Sequence, residues 1–147
     1  QISAGEVVSF RTFMTGELFN IISKHSVLRH SVDEGWDEEA FIESVSDGMM
    51  NANMLTNNLF GLRASSLLEG LQPTNATAKL SGMLIGLELS GAKGYWLGNQ
   101  VVIIGGNKII DHYQAALTQQ GVMPICANAD EMVLVGLAAS YFELKKV

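Results

Sequence analysis

The sequence predicts an α/β fold, and three patterns carry that reading. A continuous apolar run at 100–104 ends in the glycine pair Gly105-Gly106 and passes into a helical pattern ending near Gln120. A second strand-like stretch at 122–127 and a closing helical pattern at 130–146 follow. Strand–helix–strand is a crossover unit, whose two strands run parallel. Upstream, residues 15–91 are mostly helical in pattern, and a short hairpin opens the chain.

Taken in order, residues 1–12 read as a β-hairpin turning at Ala4-Gly5, where glycine supplies the positive φ of a tight turn. Ile2, Val8 and Phe10 alternate with polar neighbours, as a half-buried strand does. The first arm is only three residues long, so the chain is expected to begin partway along a strand. Residues 15–31 read as one helix, with Leu18, Ile21, Ile22, His25 and Leu28 on a single face and Glu17 in the first turn. His25 on that face reads as a core histidine rather than a ligand.

Acidic residues 33–39 lead into a helix anchored by Trp36, Phe41 and Val45. Residues 51–62 predict a helix broken near Gly61, 63–71 a short second helix, and 72–75, with Pro73, a loop. Residues 76–91 predict a long helix with the stripe Leu80, Met83, Leu84 and Leu87. Gly82 and Gly86, one turn apart, predict close approach by another backbone, since glycine is otherwise costly in a helix. Residues 91–99 read as a turn region. Asn107 is the expected cap of the following helix and Gly121 its C-terminal stop. Pro124 suggests an edge or an irregularity in the last strand.

Composition narrows the function. The 147 residues match one domain with its own core, and 48% are apolar. Six lysines and three arginines are scattered through a chain of net charge −6. That argues against a nucleic-acid surface or an anionic membrane, both of which need clustered basic residues. The lone cysteine, Cys126, excludes an internal disulfide framework and makes a reducing cytoplasm the expected compartment. No signal-peptide pattern and no membrane-spanning run is present. His25, His30 and His112 lack metal-ligand spacing, and there is no nucleophile-elbow motif. The acids Glu34, Asp37, Glu38 and Glu39 read as a solvated helix start rather than a metal patch.

The glycine pair is the main candidate for chemistry. In open α/β sheets ligands bind beyond the carboxyl ends of the strands, where Gly105 and Gly106 fall. Two readings stand on spacing alone. The glycines clear space for a ligand against bare backbone, or they only turn the chain. The pair matches neither GxGxxG nor GxxxxGK[ST], and no ribose-binding acid follows about 20 residues on, which disfavours a dinucleotide site.

The run SFRTFMTGELF at 9–19, with KLSGMLIGLEL at 79–89 and VVIIGGNKIIDHYQAAL at 101–117, resembles the 2-keto-3-deoxygalactonate kinases. The resemblance follows nearly the whole chain in order and is most specific at 9–19 and least at 33–75. It implies the sugar kinase, hexokinase and actin-like ATPase superfamily, in which two ribonuclease H-like lobes hold ATP between them. On that resemblance the chain is most of the C-terminal lobe, N-terminally truncated, lacking the other lobe and the phosphate-binding hairpin expected just before Gln1.

The resemblance implies ATP and Mg²⁺ as cofactors and 2-keto-3-deoxygalactonate as substrate, phosphorylated on its 6-hydroxyl. Gly105, Gly106 and Asn107 would form the adenosine motif, and Ser81 and Glu88 a helix walling the nucleotide. Thr15, Gly16 and Glu17 would lie near the cleft, Thr15 either contacting a phosphate or capping its helix. No residue matches the catalytic base or a metal ligand. The alternatives are a non-enzymatic interaction module and a kinase for another sugar acid; self-association into a homo-oligomer is compatible with both.

Overall fold

The structure, a computed structural model, describes residues 1–145. The chain divides into two compact units, the first spanning Gln1–Leu97 and the second starting at Gly98.

The first unit opens with β1 (Ile2–Ser3) paired antiparallel to β2 (Glu6–Val7). Ala4 (φ 52°) and Gly5 (φ 80°) both adopt the left-handed backbone of a two-residue hairpin turn. The second arm stops far short of residue 12. Ile2, Val8 and Phe10 are exposed, because no further layer covers the alternating face.

Helix α1 (Thr15–His25) is shorter than its pattern predicts. The Ser26 hydroxyl donates to the Ile22 carbonyl and accepts from the Leu28 amide, turning the chain into a 3₁₀ segment at Val27–His30. A serine that bonds its own backbone competes with the helix ladder. The break points Leu28 into the core and leaves His25 exposed, which corrects the core-histidine reading.

Asp37 caps α2 (Glu38–Met50) by accepting from the Ala40 amide at 2.8 Å. Phe41 and Val45 are fully buried, and the Trp36 ring packs against Phe41 at a 42° tilt with centroids 4.9 Å apart. Helix α3 (Leu55–Leu68) runs unbroken through Gly61. The expected break is absent because Leu55, Leu59 and Leu62 pack on the core from both sides of the glycine, which outweighs a helix cost of about 1 kcal/mol. Helix α4 (Pro73–Gly91) also begins earlier than predicted. Pro73 is not in a loop but in the first turn, where its missing N–H costs nothing.

α2 and α4 cross at backbone contact. A Cβ added to Gly82 would lie 2.5 Å from the Phe41 carbonyl oxygen, and one added to Gly48 would lie 2.6 Å from the Met83 oxygen. The glycine pair Gly82/Gly86 thus does what its spacing predicts. Leu28, Leu62, Leu80, Met83 and Leu84 form the core, with Leu18 and Ile22 of α1 packed against it. The unit ends in α5 (Lys93–Trp96), where the buried Trp96 indole donates to the Leu89 carbonyl.

The second unit is a βαβ crossover plus a helix. β3 (Val102–Gly105) pairs parallel with β4 (Ile125–Asn128), in the register Val102↔Ile125 to Gly105↔Asn128. Helix α6 (Asn107–Gln119) connects them, burying Ile110, Ala116 and Leu117. Gly121 (φ 78°) stops it as expected. Pro124 lies just before β4, so the strand avoids it. β3 is not buried: Val102 and Ile104 are 53% and 59% exposed on one face, which nothing in this unit covers, while Ile103 and Gly105 on the other are partly covered. Helix α7 (Ala129–Leu144) follows, and residue 146, where the closing helical pattern was expected to end, lies outside the described residues.

Candidate functional site

The segment before α1 is tied to the end of α4 and to α5 by a row of side chains. The Ser9 hydroxyl and the Tyr95 phenol share a hydrogen bond of 2.7 Å. The Arg11 guanidinium donates to the Gly91 carbonyl at 2.7 Å and lies 5.5 Å from the centre of the Tyr95 ring. Phe13 lies against Gly91, where an added Cβ would sit 3.2 Å from its ring. At the start of α1 the Thr15 hydroxyl donates to a carboxylate oxygen of Glu88.

Thr15, expected near the cleft, and Glu88, expected in the nucleotide wall, are therefore in contact although 73 positions apart in sequence. Thr15 makes no side-chain cap of α1; its hydroxyl is spent on Glu88. Gly16 and Glu17 beside it are exposed, and an added Cβ at Gly16 would meet nothing within 4 Å. Ser81 lies two turns before Glu88 on α4 and is buried. Sequence reasoning did not single out Ser9, Arg11 or Tyr95. The signal was partial: the run 9–19 stood out, but its partner Tyr95 sits in a stretch read only as a turn.

The glycine turn belongs to the second unit. Gly105 is the last residue of β3, and Gly106 occupies the cap position of α6 at φ −80°, ψ 156°. Asn107 is the first helical residue instead of the cap; its side chain lies outside the described residues. Neither glycine has a positive φ. A Cβ on Gly105 would make only ordinary contacts with Ile109 and Ile110, and one on Gly106 would meet nothing within 4 Å. The turn itself is open to any residue, so its geometry does not require glycine. What the glycines provide is bare backbone and free space at the carboxyl end of a parallel strand, next to the amides that open a helix.

Among the described residues no three His, Cys, Asp or Glu side chains gather as a metal site would need. No described helix is long and apolar enough to cross a membrane.

These features define a mixed α/β protein with an open glycine turn at the carboxyl end of a parallel strand. The family model for 2-keto-3-deoxy-galactonokinase matches residues 1–140, and the chain belongs to that family. It is 39% identical over 145 residues to a probable 2-dehydro-3-deoxygalactonokinase of Rhizobium meliloti (strain 1021), covering 95% of this chain and 47% of the relative. A 2-dehydro-3-deoxygalactonokinase of Escherichia coli (strain K12) is 28% identical over 139 residues, covering 93% and 47%. A solved structure from Sinorhizobium meliloti, assigned as a 2-dehydro-3-deoxygalactonokinase, superposes with a TM-score of 0.87 at 38% identity, over 92% of this chain and 47% of that one. The chain thus spans about half the length of the relatives it matches.

Proposed function

We propose that the chain is the ATP-binding, ribonuclease H-like C-terminal lobe of a cytoplasmic sugar-acid kinase. The whole enzyme transfers the γ-phosphoryl of ATP to the 6-hydroxyl of 2-keto-3-deoxygalactonate. The observation that carries the nucleotide half of this reading is the Gly105-Gly106 turn. It pairs negative φ at both residues with empty space over Gly106, so glycine there serves a ligand better than it serves the backbone. Adenosine would lie against Gly105 and Gly106, with Asn107 opening the adjacent helix. Ser81 and Glu88 would wall the nucleotide, and Thr15, Gly16 and Glu17 would lie near the phosphate side of the cleft; the Thr15–Glu88 hydrogen bond ties the start of α1 to α4.

Phosphoryl transfer relies on positioning and on neutralising phosphate charge. The Mg²⁺ that accompanies ATP supplies that neutralisation, and it is bound largely through the phosphates and water. The described residues form no carboxylate cluster fit to hold it, so no step here is assigned to a residue–metal contact. The catalytic base and most contacts to the sugar acid are assigned to the half of the enzyme that this chain does not span.

The test is a coupled ADP-release assay with 2-keto-3-deoxygalactonate, run on this chain and on a protein of the relatives' full length carrying it. Turnover by the long protein alone supports the reading. Equal turnover by both would place the whole active site within these residues. Activity of the long protein on a different sugar acid would keep the kinase and discard the substrate.

A further inference from the structure

The stretch between β2 and α1 has no ladder of its own. Among the described residues, no backbone hydrogen bond joins residues 9–14 to α4 or α5. Its attachment to them runs through side chains, which converge on residues 88–95. Ser9 shares its 2.7 Å hydrogen bond with the Tyr95 phenol. Arg11 donates to the Gly91 carbonyl and lies over the Tyr95 ring. Thr15, where the stretch ends, donates to Glu88. Tyr95 is thus the common partner of Ser9 and Arg11. It stands on the single turn of α5, which the buried Trp96 anchors through the Leu89 carbonyl.

The core does not need these contacts. Ser9 and Tyr95 are half-buried, Arg11 is exposed, and none of the three belongs to the apolar cluster around Leu80. Polar contacts near a surface add little to stability, because water takes their place when they are lost. Ordering a segment, however, costs conformational entropy at every residue. A stretch without a ladder therefore keeps one course only while its tethers hold. This stretch leads directly into Thr15, Gly16 and Glu17, so its tethers decide where α1 begins more than whether the chain folds.

We propose that Tyr95 is a positioning residue of the kinase, acting through Ser9 and Arg11 to fix residues 9–14 and with them the start of α1. The inference rests on the reading above that Thr15, Gly16 and Glu17 lie near the phosphate side of the cleft. Tyr95 touches no reacting group in this role. Phosphoryl transfer depends on placement, and a misplacement of about 1 Å can cost roughly a hundredfold in rate.

The experiment compares Tyr95→Phe, Ser9→Ala, Ser9→Thr and Thr15→Val in a protein of the relatives' full length carrying this chain. Tyr95→Phe keeps the ring beside Arg11 and removes only the hydroxyl. Amide hydrogen exchange, read by mass spectrometry, is expected to rise about tenfold at the first hydrogen-bonded amides of α1, from Leu18 on, and to stay unchanged in α2 and α4. In the same variant kcat/KM for ATP is expected to fall about tenfold or more, with the KM for the sugar acid within about twofold and the melting temperature nearly unchanged. Ser9→Ala should do the same, and Ser9→Thr, which keeps a hydroxyl, should hold most of the parent's activity. The double variant of Ser9→Ala and Tyr95→Phe should be no worse than either alone, because each loses the same bond. Unchanged exchange at α1, faster exchange with full turnover, or a loss of turnover that only follows a fall in melting temperature would each overturn the proposal. Thr15→Val tells its failure from that of the reading beneath it. If Thr15→Val lowers turnover while Tyr95→Phe does not, the positioning role is wrong and the reading of the start of α1 stands. If Thr15→Val leaves turnover intact, that reading is wrong and the proposal falls with it.

Discussion

Gly106 is the residue on which the nucleotide reading turns. Its φ of −80° and the empty space around its missing Cβ mean that a side chain fits the folded backbone. In a protein of the relatives' full length, Gly106→Val is expected to weaken ATP at least tenfold, about 1.4 kcal/mol, while leaving the melting temperature nearly unchanged. Calorimetric titration with ATP beside a thermal melt checks both halves; unchanged ATP affinity in a folded variant would defeat the assignment. Thr15 gives a second test at this scale. Thr15→Val removes the hydroxyl that donates to Glu88 and leaves a half-buried carboxylate short of one donor. The expected loss is about 1 kcal/mol in denaturant unfolding, with an unchanged slope. A stability equal to the parent's would mean that solvent already replaces this bond. The sequence marked both residues, Gly106 by its position after a strand and Thr15 by the family run. Their hydrogen-bond and steric surroundings depend on residues far away in the chain, which no local pattern reveals.

Among the elements, the glycines of α3 and α4 show how identical chemistry acquires opposite signs. Gly86 faces the backbone of α2, and an added Cβ would strike the Val45 carbonyl oxygen. Gly86→Ala is expected to destabilise by about 1–3 kcal/mol through overpacking. Gly61 lies inside α3 with nothing within 4 Å of an added Cβ. Gly61→Ala is expected to stabilise by about 0.5–1 kcal/mol, because alanine loses less conformational freedom in a helix. Paired chemical-denaturation curves measure both; the same sign at the two sites would contradict the packing described. The spacing of Gly82 and Gly86 announced the close crossing, whereas the break expected at Gly61 did not occur. Spacing reports which face is small, but only the leucines packed around Gly61 decide whether the helix continues.

For the molecule as a whole, much apolar surface is uncovered. Phe60, Leu67 and Leu68 on α3 are 66%, 64% and 84% exposed, and Val133, Leu134, Val135 and Leu137 leave α7 apolar on more than one face. A helix that is apolar all round belongs in an interior, and parallel sheets are almost always covered on both faces. The isolated chain is therefore expected to self-associate, with a scattering mass that rises with concentration. A monodisperse monomer at high concentration would show that these faces tolerate water. The chain alone is also expected not to phosphorylate sugar acids, since losing the positioning of a γ-phosphoryl against a hydroxyl forfeits about 7–11 kcal/mol of barrier lowering.

The sequence by itself determined the α/β class, the parallel crossover of β3 and β4, the acidic start of α2, and a close backbone approach at Gly82 and Gly86. Each is written in local spacing: apolar runs, a cluster of acids at a helix start, or small residues one turn apart. Family membership was likewise legible in short runs that keep their order. Tertiary structure alone decided that Ser26 ends α1 and exposes His25, that β3 is not buried, and that Thr15 reaches Glu88. It also placed Lys79 beside Glu43 and Asp47 of α2 and Glu69 at the end of α3. Those outcomes depend on which distant surfaces meet or stay uncovered, and burial and pairing across the fold are properties of the whole contact set, not of any window of residues.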